Sequence, residues 1–273
     1  MSTTELSTIK EKAAQLESTI AGYERVLVAF SGGVDSTVVL KAAANALGVH
    51  AHGILARTES NTDEDVELCR RIAREHQLPL EIIEYSELEI ENYAANPINR
   101  CFFCKNELYQ RLTKLAEERG IPVVMDGSNV DDGGDYRPGL QAVAKHGVVS
   151  PLRLTGCTKS DVRALAQFYG LPNHDRPASP CLSSRIPYGS PVTRAKLEQV
   201  AKMEGFLRTL GLVEFRCRHH EQVARLELHP TDFPKALENR EKIVDFARSI
   251  GFFWVALDLA GFKSGSLNSV HLA

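Results

Sequence analysis

The chain has 273 residues, of which 43% are apolar, together with six cysteines and a formal net charge of −3. This length supports one large hydrophobic core or two smaller ones, and no stretch is apolar for long enough to predict a membrane span. The small negative charge gives no general attraction to nucleic acid, and residues 1–10 lack a signal-peptide pattern, so we expect a cytoplasmic protein with no membrane or nucleic-acid partner.

The first elements along the chain predict a helix, a buried strand and a second helix. Apolar residues at helical spacing indicate an amphipathic helix over residues 1–23. Residues 26–30 have the pattern of a buried strand, and residues 37–47 that of a helix ended by Gly48. Between strand and helix, residues 31–36 read Ser-Gly-Gly-Val-Asp-Ser, which is a glycine turn leading into a helix N-terminus.

This turn has the chemistry of a phosphate site. Unpaired backbone N–H groups converge at a helix N-terminus, and the helix dipole favours an anion there. The glycines allow a phosphate to approach the backbone closely, and the hydroxyl groups add hydrogen-bond donors. The carboxylate would repel a phosphate, so we expect it to hold Mg²⁺ or to orient the turn. The residues assigned to the site are Ser31, Gly32, Gly33, Asp35, Ser36 and Thr37.

Further strand and helix patterns predict the rest of an α/β domain. Strands are expected at 49–55, 80–85, 121–125 and 148–152, and helices at 62–76, 101–119 and 158–169. The fold class is therefore a Rossmann-like parallel sheet of about five strands. Ligands of open α/β sheets bind at the carboxyl ends of the strands, where we expect Arg57, Gly127 and Asn129 to contact the nucleotide. Lys159, at a helix start, could reach a phosphate or be solvated.

A loop rich in proline and serine at 173–191 predicts a domain boundary. The predicted domains are 1–175, a linker with a substrate and cysteine loop at 176–192, and a smaller α+β domain at 193–273. The last domain is expected to contain a helix at 193–210, strands at 215–219 and 223–229, a helix at 233–250 and a strand at 252–259. It has no phosphate loop of its own, so substrate binding and oligomerisation are its expected tasks.

Three cysteines are candidates for sulfur or metal chemistry. Cys101 and Cys104 share one face at a helix start, and Cys181 lies in the long loop. Three thiolates leave one position of a four-site centre open, as in a [4Fe–4S] cluster that accepts an external ligand. Zinc with His174 as fourth ligand, or a redox pair with an unrelated third cysteine, remain alternatives. The other cysteines are expected to be packing residues: Cys69, Cys157 and Cys217.

Several motifs together resemble known families. The turn at 31–36 resembles the SGGxDS loop of the PP-loop ATP pyrophosphatases, which grip the pyrophosphate of ATP and transfer AMP to an oxygen of their substrate. The motifs SGGVDSTVVLK, DGSNVDD, DYRPGL, ASPCLSSRIPYG, ARLEL and LDLAGFKSG resemble the LarE family. The resemblance implies an ATP- and Mg²⁺-dependent sulfur transferase of nickel-pincer nucleotide biosynthesis. Such an enzyme adenylylates a carboxylate of pyridinium biscarboxylate mononucleotide, converts it to a thiocarboxylate and usually forms a hexamer.

The resemblance also implies substrate contacts and a sulfur route. The implied substrate or phosphate contacts are Ser184, Arg185, Arg216 and Glu227, with a cross-strand ion pair as the alternative for the last two. One LarE branch sacrifices a cysteine directly after an Ala-Ser pair, but here Pro180 occupies that place. The chain therefore resembles the branch in which three cysteines hold a [4Fe–4S] cluster, with sacrifice of Cys181 as the alternative. A cluster-dependent tRNA thiolase and a nucleotide sensor without chemistry are further alternatives.

Overall fold

A computed structural model describes residues 3–134, 139–176 and 180–263. The motif positions at 135–138, 177–179 and 264–265 therefore lie outside the described residues. The chain divides into two compact units, Met1–Ser86 with Asn99–Ser179, and Glu87–Ile98 with Pro180–Ala273. The second unit thus includes a segment that the sequence-based division assigned to the first domain. Among the described residues, none of the helices combines the length and the hydropathy that a membrane span requires.

The first unit is an α/β fold with four parallel strands in the order β3-β2-β1-β4. Its strands are β1 (Val26–Ala29), β2 (Ala51–Arg57), β3 (Leu80–Glu84) and β4 (Val123–Met125). Its helices are α1 (Thr3–Ala21), α2 (Val34–Leu47), α3 (Asp63–Glu75), α4 (Arg100–Glu118), α5 (Gly139–Lys145), α6 (Pro151–Leu154) and α7 (Lys159–Phe168). The α/β class predicted from the sequence is confirmed.

Alternating side chains of β1 place one hydrophobic core on each face of this sheet. Val26 and Val28 pack with apolar residues of α1, α2 and α7, whereas Leu27 packs on the opposite face with residues of α4 and α5. The side chains of Val26, Leu27 and Val28 are all fully buried. Because a strand presents successive residues to opposite faces, a continuous apolar run such as this one is typical of a central strand covered on both sides.

Two predicted elements of the first unit differ from the structure near the candidate site: the start of α2 and the fifth strand. Helix α2 begins at Val34, not at residue 37, because Gly33 already has the extended backbone of an N-cap residue. Asp35 is therefore in the first turn of the helix. The predicted fifth strand is reduced to a single parallel bridge between Met125 and Val149, since Pro151 begins the short helix α6.

The second unit contains a three-stranded sheet in the order β5-β6-β7. Its elements are α8 (Arg194–Thr209), β5 (Phe215–His220), β6 (Val223–Leu228), α9 (Phe233–Glu238), α10 (Arg240–Ser249) and β7 (Trp254–Leu257). Strands β5 and β6 are antiparallel, and β7 is parallel to β6. The long helix predicted at 233–250 is divided in two by Asn239, which ends α9 and precedes α10.

Buried His219 of β5 predicts a pH dependence of stability. The Glu221 amide donates to His219 Nδ1, so the proton is on Nε2, which donates to Gln199 Oε1 over 3.0 Å. Burial and the nearby Lys196 lower the pKa of His219, with Glu221 opposing and His220 adding to the shift. The folded state therefore binds fewer protons than the unfolded state as the pH falls below about 6.5.

We expect the free energy of unfolding to fall with pH below about 6.5, and His219→Gln to make this slope shallower. Urea titrations between pH 5 and pH 8 measure the effect. The matched control is His50→Gln, because His50 is exposed. An unchanged slope in His219→Gln would contradict the assignment.

Candidate active site

The loop between β1 and α2 forms the first part of the site. Gly32 has φ +72°, a backbone conformation that side chains rarely adopt. A Cβ atom at Gly32 would also lie only 2.4 Å from Cys69 Sγ, so the position has no room for a side chain. Gly33 is the N-cap residue of α2, and no side chain caps this end of the helix. The first-turn amides of a helix have no intrahelical acceptors, so those of α2 can bind an anion.

Hydroxyl groups brace this loop from within. The Ser31 amide donates to Ser36 Oγ over 3.1 Å, and Ser36 Oγ donates to the Gly33 carbonyl over 3.1 Å. The Gly33 amide makes only a long contact of 3.4 Å with Ser31 Oγ. Thr37 is fully buried, and its hydroxyl donates to the Gly33 carbonyl over 2.8 Å. Ser36 and Thr37 thus shape the loop, while Ser31 and Gly33 are exposed at its surface.

Asp35 joins the loop to two other elements. Its Oδ1 accepts a hydrogen bond from Asn129 Nδ2 over 2.9 Å, and its Oδ2 forms an ion pair of 2.5 Å with Lys159 Nζ. Lys159 is the first residue of α7, and its amide donates to Asp131 Oδ2 over 2.7 Å. The Lys159 ammonium group therefore lies next to the phosphate loop, and its contact with a phosphate stays a prediction.

A buried carboxylate, that of Asp126, holds the segment after β4, and sequence reasoning assigned no role to it. Asp126 accepts hydrogen bonds from Tyr109 Oη, Ser150 Oγ, and both the amide and the hydroxyl of Ser128, at 2.6 to 3.1 Å. Burial and the Asp126 charge raise the pKa of the Tyr109 hydroxyl, so it remains a donor. This cluster holds the adjacent Gly127 in place.

Gly127 brings the segment after β4 against the phosphate loop. A Cβ atom on Gly127 would lie 2.6 Å from the Ser36 amide nitrogen. Only glycine permits this approach, which lets Asn129 reach Asp35. Arg57, at the end of β2, forms ion pairs with Glu84 (3.2 Å) and Asp63 (2.8 Å). All predicted nucleotide residues of the first unit therefore lie at the carboxyl ends of its strands, and the nucleotide contacts themselves stay predictions.

The six cysteines fall into two groups by exposure. Cys101 and Cys181 are exposed and Cys104 is half-buried, whereas the other three are buried. Cys101 and Cys104 lie in the first turns of α4. Burial raises the pKa of Cys69 to about 11, and it also raises the pKa of Cys217, so neither thiol forms a reactive thiolate. Within the described residues, no three His, Cys, Asp or Glu side chains are grouped to hold a metal ion.

Arg185 of the second unit organises the turn that follows Cys181. Its guanidinium forms a two-point ion pair with Glu204 on α8, at 3.0 and 3.1 Å, and both side chains are almost fully buried. Its Nη1 also donates to the carbonyl groups of Pro180 and Cys181 and to Ser184 Oγ. A role of Arg185 as a phosphate contact stays a prediction, while these contacts make it an anchor of the cysteine turn.

Residues from the segment before α4 complete the scaffold of this turn. Tyr93 Oη contacts Ser183 Oγ over 2.6 Å and donates to Glu87 Oε2 over 2.9 Å, and all three side chains are buried. Asn96 Nδ2 donates to the carbonyl groups of Ile186, Pro187 and Ser190. These contacts explain why Glu87–Ile98 belongs to the second unit.

Glu227 lies opposite Arg216 in the β5–β6 register. Glu227 forms ion pairs with Arg218 (2.7 Å) and Arg225 (3.1 Å). Arg216 places its guanidinium over the Phe262 ring, 4.9 Å from the centroid, and donates to the Phe215 carbonyl. Burial and the positive charges of Arg185 and Arg218 lower the pKa of Arg216 to about 10. An anion next to Arg216 would relieve this repulsion.

Comparisons with known proteins agree with the motifs. The PP-loop domain family matches residues 5–135. An uncharacterised protein of Synechocystis is 41% identical over 96% of this chain and 98% of its own. Pyridinium-3,5-bisthiocarboxylic acid mononucleotide synthase of Lactiplantibacillus plantarum is 37% identical over 96% of each chain. A probable tRNA sulfurtransferase of Methanobrevibacter smithii is 24% identical over 54% of this chain and 41% of that protein.

Proposed function

The chain belongs to the LarE family of ATP-dependent sulfurtransferases with a PP-loop domain, and we propose that its substrate is pyridinium biscarboxylate mononucleotide. In this reaction ATP transfers AMP to a carboxylate of the substrate and releases pyrophosphate. Sulfur then displaces AMP and gives a thiocarboxylate. A carboxylate resists attack because it is negatively charged and resonance-stabilised, so adenylylation supplies the leaving group that sulfur transfer needs.

The observation that carries this proposal is the extent of the similarity. The relationship to the mononucleotide synthase covers 96% of each chain and so includes both units. The relationship to a probable tRNA sulfurtransferase covers 54% of this chain. Since the substrate-binding residues are expected in the second unit, similarity there bears on the substrate. A net charge of −3 also gives no support to tRNA binding, so tRNA thiolation is the second candidate function.

The first unit supplies the ATP site in this proposal. The amides at the start of α2 bind the pyrophosphate part of ATP, with Ser31 adding a hydroxyl donor. The carboxyl ends of β2 and β4, marked by Arg57 and Asn129, border the nucleoside. Asp35, whose carboxylate is partly exposed, is the residue that would hold Mg²⁺, which would neutralise phosphate charge when bound.

The second unit supplies the substrate contacts. We assign the mononucleotide phosphate to Arg216, because the neighbouring positive charges favour an anion there. Ser184 and Glu227 are further contact candidates, although Glu227 already balances two arginines. Arg185 contributes by holding the backbone of the turn after Cys181.

For the sulfur we propose Cys101, Cys104 and Cys181 as the carriers, held together by a [4Fe–4S] cluster. The support is chemical, because these are the cysteines that are exposed or half-buried. Such a cluster would supply an iron with an open position for exogenous sulfide. The protein's own task there would be to provide the three cysteine side chains as ligands.

We further propose a cytoplasmic homo-oligomer, and a hexamer by the family resemblance. The second unit exposes large apolar side chains that an oligomer interface could cover. The most exposed of these are Val213, Phe253, Trp254 and Leu259. Light scattering of the purified protein measures the oligomeric mass.

The substrate assignment is tested by anaerobic incubation with ATP, Mg²⁺, a sulfide source and pyridinium biscarboxylate mononucleotide. We expect AMP and pyrophosphate in equal amounts, and a product in which sulfur has replaced oxygen, detected by mass spectrometry. Bulk tRNA replaces the mononucleotide in the control reaction. Pyrophosphate release that depends on tRNA, and not on the mononucleotide, would establish the thiolase function instead.

A further inference from the structure

Asn173 lies beneath the phosphate loop although it is distant in sequence. It follows α7, where Gly170 has φ +68° and lets the chain reverse after the helix. Its side chain is 2% exposed. Nδ2 donates one hydrogen bond to the Gly32 carbonyl over 3.0 Å and a second to Thr37 Oγ1 over 2.9 Å. The Thr37 hydroxyl in turn donates to the Gly33 carbonyl over 2.8 Å.

These bonds reach two consecutive peptide planes of the loop, the first directly and the second through Thr37. In a trans peptide, the carbonyl group and the following N–H group point in opposite directions. Asn173 holds the Gly32 carbonyl directly, and it acts on the Gly33 carbonyl through the Thr37 hydroxyl, alongside the Thr37 amide (3.0 Å) and Ser36 Oγ (3.1 Å). The next two amides, of Gly33 and Val34, therefore point away from these held carbonyl groups. Two successive outward amides at a helix N-terminus form a concave anion site.

We propose that Asn173 is a positioning residue for the pyrophosphate part of ATP. It acts through the loop backbone and contacts no phosphate itself. The inference rests on the proposed binding of pyrophosphate by this loop and adds the residue that sets its amides. Neither Asp nor Ala at this position could donate both bonds, because an ionised carboxylate has no donor and a methyl group has no polar atom.

Two features separate this role from a merely structural one. Asn173 Oδ1 is buried with no hydrogen-bond partner among the described residues, so burying this side chain contributes less to stability than a fully satisfied amide would. The backbone around Asn173 has a separate anchor, because Arg163 donates to the carbonyl groups of His174 (2.8 Å) and Arg176 (3.1 Å). Removing the Asn173 amide should therefore leave the segment in place.

The test is calorimetric titration of Asn173→Ala with ligands that share only part of ATP. The probes are Mg²⁺ with inorganic pyrophosphate, Mg²⁺ with ATP, and adenosine. We expect the Kd for pyrophosphate and ATP to rise roughly 10- to 100-fold, since bonds between amides and charged oxygens depend on the amide direction. The Kd for adenosine should stay unchanged. The matched control is Asn45→Ala, which removes a hydrogen bond to Glu17 from the other end of α2.

Three further variants keep the test decisive if Asn173→Ala folds poorly. Thr37→Val removes the relay to the Gly33 carbonyl and should weaken pyrophosphate binding, whereas Thr37→Ser keeps the hydroxyl and should retain it. Asn173→Asp should bind pyrophosphate more weakly than Asn173→Ala at pH 8 and regain part of the affinity at pH 5, where a protonated carboxyl can donate one bond.

The inference is overturned if the Asn173 variants bind pyrophosphate like wild type, or if they lose adenosine and pyrophosphate equally. Wild-type protein that binds no pyrophosphate would overturn the proposed ATP site together with this inference. Because none of these titrations contains the mononucleotide, a wrong substrate assignment would leave their outcome unchanged.

Discussion

Replacing Asp35 with asparagine is expected to slow pyrophosphate release about 10³-fold while the protein stays folded. Asparagine keeps the size of the side chain and one acceptor oxygen, but it loses the charge that holds the Lys159 ammonium group 2.5 Å away. Its neutral amide oxygen is also a weaker Mg²⁺ ligand than a carboxylate. The side chain is partly exposed, and the hydrophobic core around β1 does not depend on it. Steady-state pyrophosphate release at saturating ATP measures the loss.

A comparison of variants decides what Asp35 does. If it holds Mg²⁺, Asp35→Asn should raise the Mg²⁺ concentration needed for half-maximal rate, and Lys159→Gln should not. If it orients the phosphate loop relative to the segment after β4, Lys159→Gln should reproduce most of the loss at an unchanged Mg²⁺ requirement. Asp245→Asn is the control, because that carboxylate is exposed on α10 of the second unit. A wild-type rate in Asp35→Asn would exclude both roles.

The phosphate loop could be predicted from sequence because its parts are adjacent in the chain. A buried strand, two glycines and a helix start determine its shape locally, so residues 31–37 lie where the pattern placed them. The start of α2 was predicted too late, and the reason is also local. A helix begins directly after an N-cap residue with extended backbone, and Gly33 already has this conformation.

The braces of the site could not be predicted because their partners are far apart in sequence. Asp126 binds donors from positions 109 and 150, and Asn173 binds a loop 141 residues away. From the sequence alone, a polar residue that follows a strand or a helix and faces solvent cannot be distinguished from one that faces a buried partner. Only the packing of α4 and α7 on the sheet shows which groups meet.

The ion pairs of the second unit show a related limit. Strand register predicts that Arg216 and Glu227 face each other, and they do. Arginine is long enough to reach a diagonal neighbour, however, and three arginines on this face could pair with the same carboxylate. Register alone does not predict the ion pair between Arg218 and Glu227, which follows from burial, because both side chains are almost fully buried and such charges need close partners.

Replacing any one of Cys101, Cys104 and Cys181 with alanine is expected to remove iron binding and sulfur transfer together. If the three thiolates hold one cluster, loss of a single ligand lowers the affinity of the whole centre. Binding of ATP should persist in each variant, because the phosphate loop at residues 31–37 contains no cysteine. Iron and sulfide analysis after anaerobic purification measures the first effect. Thiocarboxylate formation measures the second, and pyrophosphate binding provides the internal reference.

The sacrificial alternative predicts a different pattern from the same variants. In that case Cys181→Ala alone is inactive, Cys101→Ala and Cys104→Ala each complete one turnover, and the reacted wild-type protein is lighter by the elements of H₂S. Cys217→Ala is the matched control, because this thiol is fully buried in the second unit and should affect neither iron nor sulfur transfer. Mass spectrometry of the anaerobically reacted protein separates the routes. Because a cluster returns its cysteines unchanged, a stoichiometric mass loss at Cys181 would overturn the cluster assignment.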